Sequence, residues 1–229
     1  MSKKRISDVL IEVLADAGIE RIYGITGDSL NSVNDSLRRN GKIQFEHVRH
    51  EESAAFAAGA EALLTGKLTV CAGSSGPGNL HLINGLFDCH RNRVPVLAIA
   101  SHIPQSEVGL NYFQETHPEN LFKECSCFCE LVSNPKQMPE ILFRAMNAAV
   151  GNRDVAVIVL PGDVAVMEIE IDELPTWHAP KLPRVIPQSE DILEMVQHIN
   201  NGKRITLFCG AGCAGAHDEV VELATKLQA

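Results

Sequence analysis

Residues 49–62 read Arg-His-Glu-Glu-Ser-Ala-Ala-Phe-Ala-Ala-Gly-Ala-Glu-Ala, two adjacent carboxylates followed by a run of small side chains. Small side chains let a helix lie close to a neighbour or to a flat ligand. Acids in a first turn also suit the positive end of a helix dipole, which alone accounts for such a pair in an arbitrary helix. His50 beside Glu51 raises H-E-x-x-H zinc chemistry, but position 54 is Ala54, so that motif fails. Two further turns carry glycine: Thr26-Gly27-Asp28-Ser29, and Gly73-Ser74-Ser75-Gly76-Pro77-Gly78-Asn79. Gly76, Pro77 and Gly78 present no bulky side chain, so a ring can approach the backbone there, although a plain strand-to-helix turn uses the same residues. Gly210-Ala211-Gly212-Cys213-Ala214-Gly215 matches G-x-G-x-x-G, a dinucleotide turn when it lies between a strand and a helix. No partner acid follows about 20 residues on, because the chain ends at Ala229 first.

The elements that must position these residues follow from periodicity. Val9, Leu10, Val13 and Leu14 make one face of a helix that Gly18 stops. Strands are expected at Arg21–Ile25, Ile43–Val48, Leu68–Ala72, Val94–Ala100, Ser126–Val132 and Val155–Leu160, with helices between them. This alternation predicts an α/β domain, a parallel sheet with helices on both faces, over residues 1–165. In such sheets ligands sit at the carboxyl ends of the strands, where the 26–28, 50–51 and 76–78 turns fall. From Val164 the pattern dissolves. Glu168, Glu170, Asp172, Glu173, Pro175, Pro180, Pro183 and Pro187 mark an extended linker over 166–187. Residues 188–229 read as helix, strand (Arg204–Cys209) and helix, the start of a Rossmann-like central domain that is cut off.

Composition narrows the function. The chain of 229 residues is 45% apolar with net charge −9, and its longest basic run is Lys3-Lys4-Arg5, which argues against nucleic acid as a partner. No apolar run spans a bilayer and no secretory core follows the basic N-terminus, so the expectation is a cytoplasmic protein with no membrane contact indicated. The seven cysteines do not form a disulfide framework. Cys125, Cys127 and Cys129 alternate, which puts all three on one buried strand face rather than in a metal site. Cys71, Cys89, Cys209 and Cys213 also read as small buried residues. His81 and His90 read as structural or surface residues, and Glu52 as a solvated helix-start acid.

Three stretches together carry a resemblance: Gly24-Ile25-Thr26-Gly27-Asp28-Ser29-Leu30-Asn31, Arg49-His50-Glu51-Glu52, and Gly76-Pro77-Gly78-Asn79-Leu80-His81-Leu82-Ile83-Asn84-Gly85. Tyr112-Phe113-Gln114-Glu115-Thr116-His117-Pro118 extends it. The chain resembles the thiamine-diphosphate-dependent pyruvate oxidase and decarboxylase superfamily over essentially its whole length, most like bacterial pyruvate oxidase (quinone-dependent pyruvate dehydrogenase). The resemblance implies a pyrimidine-binding first domain and the start of a central FAD-type domain. It also implies a third domain, outside this chain, that grips the diphosphate through Mg²⁺. The third domain's Gly-Asp-Gly is absent: Gly27-Asp28-Ser29 and Gly162-Asp163-Val164 lack the last glycine, so no metal ligand is expected here.

By the same resemblance Glu51 is the catalytic carboxylate that favours the imino tautomer of the pyrimidine. Thr26, Gly27, Asp28, Gly76, Pro77, Gly78 and Asn79 bind the cofactor, and Gly210 and Gly212 lie on the FAD side. Phe113 and Gln114 face pyruvate, although read as residues alone they fit a packed aromatic and a surface amide equally well. The implied activity of the complete, homo-oligomeric (dimeric or tetrameric) enzyme is oxidative decarboxylation of pyruvate to acetate and CO2, with electrons passing through FAD to quinone or oxygen. The alternatives are an acetolactate synthase-type carboligase and a catalytically silent assembly module. Acetolactate synthases usually carry G-Y-P-G-G in the first turn and Gln after the glutamate. Here Gly24-Ile25-Thr26-Gly27-Asp28 and Glu51-Glu52 stand instead.

Overall fold

The computed structural model describes residues 2–174 and 176–229, so the expected linker residue Pro175 lies outside the described residues. Contacts divide the chain into two compact units, Met1–Leu182 and Pro183–Ala229. The first unit runs β1 (Ser2–Arg5), α1 (Ile6–Asp16), β2 (Arg21–Gly24), α2 (Asn31–Asn40), β3 (Gln44–His47), α3 (Glu51–Thr65), β4 (Thr69–Gly73), α4 (Pro77–Asn92), β5 (Val96–His102), α5 (Pro118–Leu121), β6 (Phe128–Leu131), α6 (Met138–Asn152), β7 (Val155–Pro161), α7 (Gly162–Val166) and β8 (Glu168–Ile171). The second unit holds α8 (Ser189–Asn201) and α9 (His217–Leu227). Among the described residues no helix is long and apolar enough to cross a membrane.

Six strands form one parallel sheet in the order β3-β2-β4-β5-β7-β6. Every residue of β4, β5 and β7 is buried, as expected for strands covered on both faces. Side chains alternate along each strand and so feed two cores. Leu97 and Ile99 of β5 join Leu10, Val33 and Leu142 from α1, α2 and α6 on one side. Val96, Ala98 and Ala100 join Ala55, Ala58 and Leu86 from α3 and α4 on the other. Helix ends fall where the backbone must turn left-handed: Gly41 (φ 67°) closes α2 and Gly66 (φ 69°) closes α3.

Four expectations need correction. Residues 168–171 are not linker. They form β8, which pairs antiparallel with β1, Lys3 facing Glu170 and Arg5 facing Glu168, so opposite charges oppose each other and Ile169 turns into the core. The chain beyond β8 also packs back: Trp177 lies against the first core and its indole N–H donates to Asn147 Oδ1 at 2.9 Å. The cysteines around 127 do not share a buried strand face. The strand starts only at Phe128, because Cys125 N–H and the Ser126 hydroxyl fold back on the Phe122 carbonyl (3.2 and 2.8 Å), and Cys127 is exposed. Arg204–Cys209 forms no strand. Among the described residues the second unit offers no other strand to complete a ladder, so Phe208 and Cys209 stand exposed.

Candidate functional site

The sheet order fixes where a site can be. The chain leaves β2 through α2 toward one edge, and leaves β4 through α4 toward the other, with α2 and α4 on opposite faces. Between the carboxyl ends of β2 and β4 the two connections diverge, which opens a crevice. The 26–29 turn and the 73–76 turn line it. They are in close contact: a Cβ at Gly27 would stand 2.6 Å from Ser74 Cβ. Ser75 N–H donates to Ser29 Oγ at 2.9 Å, and the Ser101 hydroxyl donates to the Ser29 carbonyl at 2.5 Å.

Glu51 enters at the first turn of α3. His50 caps that helix, its Nδ1 accepting from Glu52 N–H at 3.3 Å. Glu51 is only 7% exposed. Its Oε1 lies against Gly78, whose added Cβ would come within 3.2 Å, and its Oε2 is 3.1 Å from His81 Nδ1. Glu52 points elsewhere and accepts from Asn84 Nδ2 at 2.6 Å, so the two acids have different partners. The α3–α4 contact that sets this spacing is built of small residues. A Cβ at Gly85 would meet Ala55 Cβ at 2.6 Å and the Glu52 carbonyl at 2.8 Å.

Gly76 takes φ 67° and ψ −113°, a conformation for glycine, and a Cβ there would sit 2.8 Å from Gln114. Pro77 follows at the first position of α4, where its missing N–H costs nothing. Asn79 is fully buried. Its amide donates to the Ser101 carbonyl at 2.8 Å, so it ties α4 to β5 from inside, while its Oδ1 has no partner among the described residues.

Asp28, Phe113 and Gln114 come together with Ser29, Ser75 and His102 around a cavity of about 280 Å³. Gln114 also holds a positive φ of 63° and its Oε1 accepts from Ser75 Oγ at 3.3 Å. Phe113 is 78% exposed at the mouth. Burial pushes the His102 imidazole below its usual value, and its Nδ1 is buried without a partner among the described residues. Thr26 instead lines a depression with Asn34, Leu37 and Phe45, on the other side of its turn. Gly210 and Gly212 lie in the second unit, exposed, around a 3-10 turn at Ala211–Cys213 rather than after a strand.

Two histidines escaped the sequence reading. His81, read as structural or surface, is the partner of Glu51, and the His50 ring stacks on it with centroids 4.3 Å apart. The signal was present. Gly78, His81 and Gly85 are spaced i, i+3 and i+7, one face of α4, and the two glycines mark that face as the one against α3. His102 had no such mark, since the end of a buried strand carries no sequence signal of its own.

Positions 76 and 78 leave no room for a Cβ: one at Gly76 would stand 2.8 Å from Gln114, and one at Gly78 would stand 2.9 Å from Ser74 Oγ and 3.2 Å from Glu51 Oε1. Residues 4–121 match the family of thiamine pyrophosphate enzymes, N-terminal TPP binding domain. The chain belongs to this family. It is 59% identical over 230 residues to an uncharacterized 42.6 kDa protein in the isoamylase 3′ region of Pseudomonas amyloderamosa, covering 100% of this chain and 58% of that protein. It is 32% identical over 227 residues to the pyruvate oxidase of Lactiplantibacillus plantarum (96% of this chain, 37% of that enzyme). It is also 32% identical over 228 residues to the acetolactate synthase of Arthrospira platensis (96% and 39%). The chain therefore spans between about a third and three fifths of the length of these relatives.

Proposed function

We infer that this chain is the N-terminal part of a thiamine-pyrophosphate-dependent pyruvate oxidase or dehydrogenase, which converts pyruvate to acetate and CO2. The observation that carries the reading is the buried Glu51 carboxylate held against Gly78. When bound, thiamine pyrophosphate supplies the carbanion chemistry. The chain's own residues bind, orient and move a proton. Glu51 holds a proton at the pyrimidine ring nitrogen, which is general acid–base work by a positioned group. Gly76 and Gly78 leave bare backbone for the ring to approach, and the bond from the Asn79 amide to the Ser101 carbonyl fixes the start of α4. Phe113 and Gln114 stand at the pyruvate side, over the cavity that His102 floors. FAD and Mg²⁺ belong to the reading of the complete protein, with Gly210 and Gly212 on the FAD side, quinone or oxygen as acceptor, and a homo-oligomer as the assembly.

Turnover of pyruvate by the complete protein tests the reading. Glu51→Gln keeps the shape and removes the carboxylate, and the expected loss is about 10²- to 10⁴-fold in kcat. A near-normal rate removes the assignment. The acetolactate synthase reading is favoured by an identity equal to that of the oxidase, 32% in each case. Product analysis separates the two: acetate supports the oxidase and acetolactate the carboligase.

A further inference from the structure

We propose that His50, Glu51 and His81 form a binding site for a Zn²⁺-class divalent cation, in competition with the cofactor ring. One ligand atom from each of the three lies within 4.8 Å of the others. His81 Nδ1 and Glu51 Oε2 are 3.1 Å apart. Two ligands bound to zinc at about 2.0–2.2 Å in a tetrahedron stand roughly 3.2–3.5 Å apart, so a cation fits between them with little movement. The third ligand needs a small rotation, and the site permits it. The His50 and His81 side chains are 46% and 45% exposed, and the His50 cap bond to Glu52 N–H is a long 3.3 Å.

Charge weighs on both sides. The positive end of the α3 dipole opposes a cation. Two carboxylates in the same turn oppose the dipole in turn: Glu51 as ligand, and Glu52, whose Oε2 is 3.8 Å from His50 Nδ1. Two imidazoles with one carboxylate is the donor set of a zinc site that keeps a fourth position open. It selects borderline ions such as Zn²⁺ or Co²⁺ over Mg²⁺, which takes oxygen ligands. Because Glu51 is a ligand, metal and cofactor ring exclude each other. That exclusion rests on the reading of Glu51 given above, whereas metal binding itself does not.

The test is calorimetric titration of ZnCl2 into the full chain, with Cys127, Cys209 and Cys213 changed to Ser so that exposed or neighbouring thiols do not bind the ion. The expected result is one equivalent bound, no heat from MgCl2, and a visible tetrahedral absorption band with Co²⁺. His50→Ala and His81→Ala, both at half-exposed positions, should each weaken binding about tenfold or more, since even an outer-shell partner is worth about 10- to 100-fold. Absence of stoichiometric binding, or unchanged affinity in both histidine variants, overturns the site. Saturating thiamine pyrophosphate with Mg²⁺, added to the complete protein, should raise the Kd for zinc. If it does not, the exclusion falls and the reading of Glu51 falls with it, while the site stands on the histidine variants.

Discussion

Gly85→Ala puts the α3–α4 contact to the test with a single methyl. The new Cβ would stand 2.6 Å from Ala55 Cβ, 2.8 Å from the Glu52 carbonyl and 3.0 Å from Phe56 N, whereas ordinary contact begins at 3.4 Å. Two of these atoms are backbone and cannot swing aside, so α3 must move by about 0.6–0.8 Å, and overpacking of this kind costs about 1–3 kcal/mol. Ala in place of Gly in a helix returns about 0.5–1 kcal/mol. The mid-range values leave a net loss of about 1 kcal/mol, which at this chain length lowers Tm by about 2–4 °C. Thermal unfolding followed by far-ultraviolet circular dichroism reads it directly. Gly59→Ala is the control. Its Cβ would meet Cys89 Sγ at 2.6 Å and nothing else closer than 3.8 Å, and a thiol can rotate away, so Tm should change by less than about 2 °C. A Gly85 variant as stable as the parent, or a Gly59 variant as damaged as the Gly85 one, refutes the reasoning. The same displacement carries Glu51 away from Gly78, so cofactor affinity of the complete protein should fall in parallel.

Gly76→Ala forces a side chain into φ 67° and against Gln114 at 2.8 Å, and should abolish cofactor binding by the complete protein; calorimetry with retained binding would refute the binding role of this turn. Asp8 titrates below the usual carboxylate value: burial pushes it up, but hydrogen bonds from Ser36, Arg5 and Arg39 outweigh burial. A depressed carboxylate stabilises above its unfolded value and loses that contribution as pH falls through the folded one, so the Tm deficit of Asp8→Asn at pH 7 should shrink below roughly pH 4. A deficit that does not change with pH would show that packing, not charge, is lost. Burial pushes the Cys71 thiol well up and Cys89 up to about 12, so iodoacetamide at pH 7 should leave both unlabelled in the native chain and modify them after denaturation, as mass spectrometry would show.

What the sequence disclosed depended on how far each interaction reaches along the chain. The runs at 68–72, 94–100 and 155–160 are apolar throughout, and such runs between turn residues identify buried parallel strands without knowledge of their neighbours. Glu51, Gly76 and Gly78 were legible because each sits at a strand-to-helix turn, where short motifs have local causes. Glu168-Ile169-Glu170-Ile171 carries a period-2 pattern, but its strand exists only because Ser2–Arg5, more than 160 residues earlier, lies alongside it. Arg204–Cys209 failed for the converse reason: extended residues become a strand only beside another strand. Gly78 and Gly85 marked the helix face that carries His81, but its pairing with Glu51 appears only once α3 and α4 are packed together.

The pairing of β1 with β8 has a consequence for how this unit joins other protein. The sheet-bearing segment runs from Ser2 in β1 to Ile171 in β8, and these two residues face each other in register. The two ends of the segment therefore share one corner, and it forms a closed cassette on which the following residues, Trp177 among them, pack back. Such a cassette can be spliced into, or exchanged between, larger polypeptides through a single junction, without stretching its strands or reordering its sheet.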